Sequence, residues 1–213
     1  MRKIGLLGGS FNPAHRGHRQ ISARALKALG LDEIWWLVSP GNPLKEAAGM
    51  APLPARFRSA QQAARGLPIR VTAIERDIGT VYTAETLHAL VRLYPQHRFV
   101  WLMGGDNLAQ FHLWRDWRRI AHTVPIAVIA RPGYDAAARA ARAMGWLRRF
   151  VRPAAGAKSW TRWRLPALVL LRLPLDPTSA TGIRAASADW HQSSLYSFNP
   201  EALRDGVTRR PIT

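Results

Sequence analysis

Apolar residues gather into short runs along the chain: Lys3 to Leu7, Glu33 to Val38, Ile69 to Ile74, Arg98 to Met103, Pro125 to Ala130 and Ala167 to Leu173. Most are continuous rather than alternating, the pattern of strands buried on both faces. Between them the spacing shifts to a helical period over Gly17 to Leu29, Pro54 to Arg65, Ala84 to Leu93 and Tyr134 to Gly145. Strand and helix therefore alternate, which predicts an α/β fold: a doubly wound, mostly parallel sheet covered on both sides, with a small helical part at the C-terminus. In such sheets ligands sit beyond the carboxyl ends of the strands, near the point where strand order reverses. Chemistry-bearing motifs are expected just after strands.

Two regions resist this pattern. The loop Pro40 to Pro54 is rich in Pro and Gly, and the stretch Arg139 to Arg164 carries Arg139, Arg142, Arg148, Arg149, Arg152, Lys158, Arg162 and Arg164 interleaved with Trp146, Trp160 and Trp163. That interleaving is compatible with nucleic-acid contact. A solvated helix and loop with the tryptophans packed inward is the simpler expectation.

Composition narrows the class. With 213 residues, 47% hydrophobic content and nine tryptophans, the chain is sized for one core, so residues 1–213 are expected to form a single domain. The absence of cysteine excludes disulfides, thiolate zinc sites, iron-sulfur clusters and cysteine nucleophiles. The run Ile4 to Gly9 is too short for the apolar region of a signal peptide, and Leu165 to Leu175 is broken by Pro166, Arg172 and Pro174. Neither approaches the roughly 20 residues of a membrane span, so a cytoplasmic protein without membrane contact is expected. Thirty-one Lys and Arg against thirteen Asp and Glu give a formal charge of +18, which favours an anionic partner without choosing among nucleotide, nucleic acid and membrane surface.

The most informative segment is Gly8-Gly9-Ser10-Phe11-Asn12-Pro13-Ala14-His15-Arg16-Gly17-His18, which follows the first predicted strand and opens the first predicted helix. Gly8 and Gly9 permit close backbone approach, Pro13 stiffens the turn, and the helix N-terminus supplies free N–H groups and a positive dipole end. A phosphate fits there. His15 and His18, three apart, can project toward it from one face of the first helical turn. The pair offers two metal ligands, but no cysteine exists and no third ligand follows, so a protein-held metal is not expected. Neither the P-loop ending in Lys-Ser or Lys-Thr nor the three-glycine dinucleotide pattern is present.

The segment resembles the signature of the nucleotidyltransferase superfamily that shares its His-x-Gly-His element with class I aminoacyl-tRNA synthetases. A second element, Thr178-Ser179-Ala180-Thr181-Gly182-Ile183-Arg184, is similar to the Ser-x-Thr-x-x-Arg motif that closes over the ATP phosphates in these enzymes. Ser179 or Thr181 can cap a short helix there, with Arg184 one turn on. Three further elements resemble bacterial nicotinate-nucleotide adenylyltransferases in the same order: Asn42-Pro43-Leu44-Lys45, Tyr82-Thr83-Ala84-Glu85-Thr86-Leu87 opening a helix, and Gly104-Gly105-Asp106-Asn107-Leu108 followed by Trp114 and Trp117. Two departures stand out. Position 12 is Asn where the family usually has Asp, and position 180 is Ala where a second Ser is common, so neither side chain is expected to carry an essential role.

The resemblance implies a Rossmann-like fold and an enzyme that transfers AMP from ATP to nicotinate mononucleotide, with Mg²⁺ on the ATP. It implies ATP contacts from Gly8, Gly9, Ser10, Phe11, His15, His18, Gly104, Asp106, Ser179, Thr181 and Arg184, of which His15, His18 and Arg184 act in catalysis. Acceptor contacts are implied for Lys45, the backbone of Thr83, Ala84 and Arg115, and the ring of Trp114, with Trp117 taken as packing. Lys45 suits a phosphate as a compact charge, and Asp106 suits ribose hydroxyls or a metal. Phosphopantetheine and nicotinamide mononucleotide are rival acceptors. A basic RNA-binding protein is the rival class, though RNA binding gives no reason for the two histidines and the Ser-Ala-Thr element, and no stable nucleic-acid partner is expected.

Overall fold

The computed structural model describes residues 1–41, 49–130, 140–172, 180–187, 189–192 and 203–212. Seven strands form one sheet: β1 (Arg2–Gly9), β2 (Glu33–Val38), β3 (Ile69–Thr72), β4 (His97–Gly104), β5 (Ile126–Ala130), β6 (Val151–Arg152) and β7 (Leu168–Arg172). Their order is β3-β2-β1-β4-β5-β7-β6 and every pairing is parallel. The helices are α1 (Arg16–Leu29), α2 (Leu53–Ala64), α3 (Ile74–Ile78), α4 (Thr83–Leu93), α5 (Gly105–Gln110), α6 (Trp117–Thr123), α7 (Met144–Leu147) and α8 (Ala180–Ala186).

The continuous apolar runs serve two cores at once, because successive side chains of a strand point to opposite faces. On β4, Phe99, Trp101 and Met103 enter one core with Leu87 and Leu90 of α4, whereas Val100 and Leu102 enter the other with Ala25 and Leu29 of α1. Strands β2 and β5 divide in the same way. The sheet is thus doubly wound, and its order reverses between β1 and β4, whose carboxyl ends lie side by side. The turn after β1 and the Gly-Gly-Asp element after β4 flank that junction.

Within the basic stretch, the described residues follow the simpler expectation. Trp160 is buried on a 3₁₀ segment (Ala154–Arg162) and donates its indole N–H to the carbonyl of Leu29, 3.1 Å away. Trp146 packs edge-on against Trp117 while Arg118 and Arg149 lie over its ring.

The elements differ from expectation where distant residues intervene. The run Ile69 to Ile74 is cut after Thr72 because buried Asp205 accepts from the Thr72 hydroxyl at 3.0 Å and from the N–H of Ala73 at 2.7 Å. Thr72 Oγ1 then accepts from the N–H of Ile74 and α3 begins. Short β6, α3, α5 and α6 were not anticipated, being too brief to show a period. Of the helix expected over Tyr134 to Gly145, residues 134–139 lie outside the described residues; Ala140 is helical, a break follows at residues 141–143, and Met144 and Gly145 open α7.

One buried cation joins the sheet to the turn after β1. Arg56 of α2 is 1% exposed, and four carbonyls accept from it: Ala51 at 2.8 Å, Ser10 at 2.8 Å, Ser39 at 2.8 Å and Pro40 at 3.3 Å. Burial lowers its pKa to about 10, so the charge is retained at neutral pH. One turn along α2, Ser59 Oγ accepts from the N–H of Ala14 and donates to the carbonyl of Arg56. Without the guanidinium the four carbonyls lose buried partners, at roughly 1 to 3 kcal/mol each before relaxation. Arg56→Met and Arg56→Lys should each lower the unfolding free energy by about 2 kcal/mol or more, since an ammonium lacks the planar fork that reaches several acceptors. Urea denaturation with loss of less than about 0.5 kcal/mol in both variants would show that the clamp contributes little.

Candidate active site

Beyond β1 the chain turns tightly. Phe11 takes a left-handed backbone conformation (φ 48°), which sends its ring into the core, stacked on Trp36 at 5.1 Å and tilted against His18 at 4.7 Å. Contact of Phe11 with a ligand therefore falls to its backbone. A Cβ on Gly8 would come within 2.5 Å of the Trp101 ring, so this glycine is needed to seat a tryptophan. At Gly9 an added Cβ would make only ordinary contact with Phe11. The Asn12-Pro13 peptide is cis.

His15 is the N-cap of α1 and His18 its third residue, the two forming a reciprocal box. His15 Nδ1 accepts from the N–H of Gly17 at 3.1 Å and His18 Nδ1 accepts from the N–H of His15 at 3.3 Å. A neutral imidazole whose Nδ1 accepts carries its proton on Nε2. The ring centroids lie 3.9 Å apart, so two Nε2–H donors share one helix end with the backbone N–H groups of the first turn.

The motif from the far end of the chain meets this turn directly. Arg184 on α8 donates to the carbonyl of Asn12 at 2.6 Å, across a separation of 172 residues, and its other arm reaches Thr181 Oγ1 at 3.4 Å. Thr181 sits inside the first turn of α8 rather than capping it. Ser179 and Lys45 lie outside the described residues. The Asn12 side chain is also occupied: its Nδ2 donates to the carbonyl of Gly49 at 2.9 Å and its Oδ1 accepts from the N–H of Ala51 at 3.2 Å. A carboxylate could not make the first bond, so Asn here tethers the returning loop.

Across the junction, Gly104 precedes α5 and the Asp106 carboxylate folds back over its α-carbon, leaving Asp106 itself exposed. The ring of Trp101, under Gly8, also meets Trp114 edge-on at 6.2 Å. Trp114 and Trp117 are both half-buried and pack edge-on against Phe111, at 5.5 and 5.6 Å. Helix α4 starts at Thr83 with no side-chain cap; the N–H groups of Glu85 and Thr86 both donate to the carbonyl of Tyr82. By helix geometry the N–H groups of Thr83 and Ala84 have no acceptor within the helix. Arg115 lies over the Tyr82 ring at 4.5 Å and 4.0 Å from Glu85, which brings the Trp114-Arg115 segment to the same helix end.

Sequence reasoning missed Arg56, the role of Asn12 and the contact of Arg115 with Tyr82. Arg56 had a legible signal, since it shares a helical stripe with buried Ala60 and Ala64. Among the described residues no group of three or more His, Asp or Glu is arranged to hold a metal, and no helix is long and apolar enough to cross a membrane.

Comparison with known proteins identifies the family and the fold. Residues 6–186 match the family model described as cytidylyltransferase-like. The chain is 58% identical over 210 residues to a protein of Erythrobacter litoralis named "Probable nicotinate-nucleotide adenylyltransferase", covering 99% of this chain and 94% of the relative. A protein of Parvibaculum lavamentivorans with the same name is 52% identical over 182 residues, 85% of this chain and 90% of the relative. The fold matches Plasmodium falciparum nicotinic acid mononucleotide adenylyltransferase complexed with NaAD, with a TM-score of 0.64 at 15% identity over 87% of this chain and 83% of that one. The family model spans both motifs that meet at Asn12, and two relatives align at half or more of their positions, so the chain belongs to the nicotinate-nucleotide adenylyltransferase family.

Proposed function

We propose that the protein transfers the AMP unit of ATP to nicotinate mononucleotide, releasing pyrophosphate and giving nicotinate adenine dinucleotide. The observation that carries this reading is the bond from Arg184 to the Asn12 carbonyl, which holds a cationic arm beside two histidines and a helix N-terminus at the sheet's reversal point. A triphosphate suits that combination of fixed donors.

In the reaction an oxygen of the acceptor's phosphate forms a bond to the α-phosphorus of ATP while the bond from that phosphorus to the bridging oxygen breaks. The attacking oxygen is already anionic at neutral pH, so no general base is needed and catalysis reduces to placement and charge neutralisation. The Nε2–H groups of His15 and His18 donate to the α- and β-phosphates, and Arg184 holds the departing pyrophosphate. Gly8, Gly9, Ser10 and the backbone of Phe11 line the nucleotide, with Gly104 and Asp106 at its ribose and Ser179 and Thr181 at its phosphates. Nucleotidyl transfer from ATP uses a divalent cation; we assign Mg²⁺, which would ride on the triphosphate and neutralise its charge, with Asp106, the described carboxylate beside the sheet's reversal point, to serve it.

The acceptor's pyridine carboxylate meets the N–H groups of Thr83 and Ala84 and the backbone N–H of Arg115, its ring lies on Trp114, and its phosphate meets Lys45. An amide would put its own N–H₂ against those donors. Unpaired buried groups cost about 1 to 3 kcal/mol each, so two of them give a preference of about a hundredfold for the acid.

His18→Ala should lower kcat by about a hundredfold or more with the fold intact by circular dichroism, as expected when a transition-state charge contact is lost; near-native turnover would remove His18 from the mechanism. Thr83 is the first residue of α4, where proline is tolerated, and Tyr82 before it is extended (φ −103°, ψ 132°), so Thr83→Pro deletes one N–H and preserves the helix. It should raise KM for nicotinate mononucleotide about tenfold and spare KM for ATP. Equal use of acid and amide by the native protein, measured as pyrophosphate release, would overturn the choice of acceptor while leaving adenylyl transfer in place.

A further inference from the structure

Glu75 is a buried acid that the mechanism above leaves without a task. It lies on α3, 7% exposed, in a chain of net charge +18, yet among the described residues no cation pairs with it. Its neighbours among the buried acids are all compensated. Glu33 takes Arg2 and Arg70, and Asp205 takes the backbone N–H groups of Ala73, Val207 and Thr208. Glu75 instead meets a hydroxyl, with its Oε1 3.1 Å from Thr86 Oγ1. Burial raises its pKa to about 7, against the pull of that hydrogen bond.

Thr86 is fully buried in the first turn of α4, and its single proton has three oxygen neighbours: Thr80 Oγ1 at 2.9 Å, Glu75 Oε1 at 3.1 Å and the Tyr82 carbonyl at 3.3 Å. If Glu75 is protonated it donates to Thr86, and the Thr86 proton serves Thr80 or Tyr82. If Glu75 is ionised, the Thr86 proton is committed to it. The cluster is bound to the backbone on both sides, since Thr80 N–H donates to the Glu75 carbonyl and the Tyr82 carbonyl accepts from Glu85 and Thr86. It therefore backs the helix end whose outward N–H groups belong to Thr83 and Ala84.

We infer that Glu75 works as a neutral carboxyl that positions the first turn of α4 and keeps negative charge away from it, making Glu75 a specificity-determining residue for an anionic acceptor. This rests on the assignment of the acceptor's carboxylate to the α4 N-terminus. An ionised Glu75 would oppose that carboxylate across one helical turn, so acceptor binding and Glu75 protonation favour each other. The other charged and titratable groups on the surrounding elements are Arg76 and Asp77 on α3, Glu85, His88 and Arg92 on α4 with Tyr82 and Tyr94 at its two ends, Glu33 on β2, Arg70 on β3, and Asp205, Arg209 and Arg210 near the C-terminus. Asp77 is taken by Arg76 and Thr208, and Glu85 lies beside Arg115.

The test uses the full chain and Glu75→Gln, whose amide still donates to Thr86 and cannot ionise. From about pH 6 to about pH 9 the native KM for nicotinate mononucleotide should rise about tenfold, while KM for ATP and KM for nicotinamide mononucleotide stay within about twofold. In Glu75→Gln the acid's KM should stay flat near the native low-pH value. Calorimetry of nicotinate mononucleotide binding at about pH 7, in two buffers of different ionisation enthalpy, should show proton uptake by the native protein beyond that of Glu75→Gln. A purely structural Glu75 would move neither readout. A native KM without pH dependence, or the same slope and proton uptake in Glu75→Gln, overturns the inference. If Thr83→Pro then still raises the acid's KM, the acceptor site stands without Glu75; if it does not, the acceptor assignment fails as well.

Discussion

A guanidinium surrounded by carbonyls rather than carboxylates organises this molecule. Arg56 gathers the turn after β1 through Ser10, the end of β2 through Ser39 and Pro40, and the returning loop through Ala51. The same segments are joined by the bond from Ser39 N–H to the Gly9 carbonyl and by the Asn12 side chain, which bonds Gly49 and Ala51. A buried charge without a counter-ion is costly, and its desolvation is visible in its lowered pKa; four dipoles aimed at it offset that cost while leaving net positive charge beneath the proposed phosphate site.

The same logic runs through the turn itself. Three residues of the turn are used twice: Asn12 fastens the loop with its side chain and receives Arg184 with its carbonyl, and His15 and His18 satisfy backbone N–H groups with one nitrogen, which fixes the tautomer of the other. Fixed donors of this kind need no reorganisation when charge moves from the α-phosphate to the leaving group, which is where electrostatic catalysis gains most. Asn at position 12, in place of the Asp usual in the resembling family, both donates to Gly49 and accepts from Ala51, which a carboxylate could not do.

The far edge of the sheet depends on the C-terminal segment. Gly206 donates to the Val71 carbonyl at 2.8 Å, where a Cβ would come within 2.6 Å of that oxygen, and Asp205 stops β3 and starts α3. An otherwise open edge strand is thereby covered. Because α3 carries Glu75 and leads into α4, the closing of this edge also sets the helix end proposed for the acceptor.

The sequence by itself determined the parallel sheet, because a strand buried on both faces must be apolar at nearly every position, and no other element of that length needs this. It also determined the turn after β1 and the start of α4, where neighbouring residues supply the geometry: Gly8-Gly9, the His15-Arg16-Gly17-His18 run, and Tyr82-Thr83-Ala84. Only the tertiary structure decided that Phe11 turns inward, that Gly8 makes room for Trp101, that Asp205 ends β3 at Thr72, and that Arg184 finds the Asn12 carbonyl. Each of these joins positions whose meeting depends on how the whole chain closes. A periodic pattern records which face of an element is buried, but it does not record which distant dipole a buried Arg56 or Glu75 will meet there.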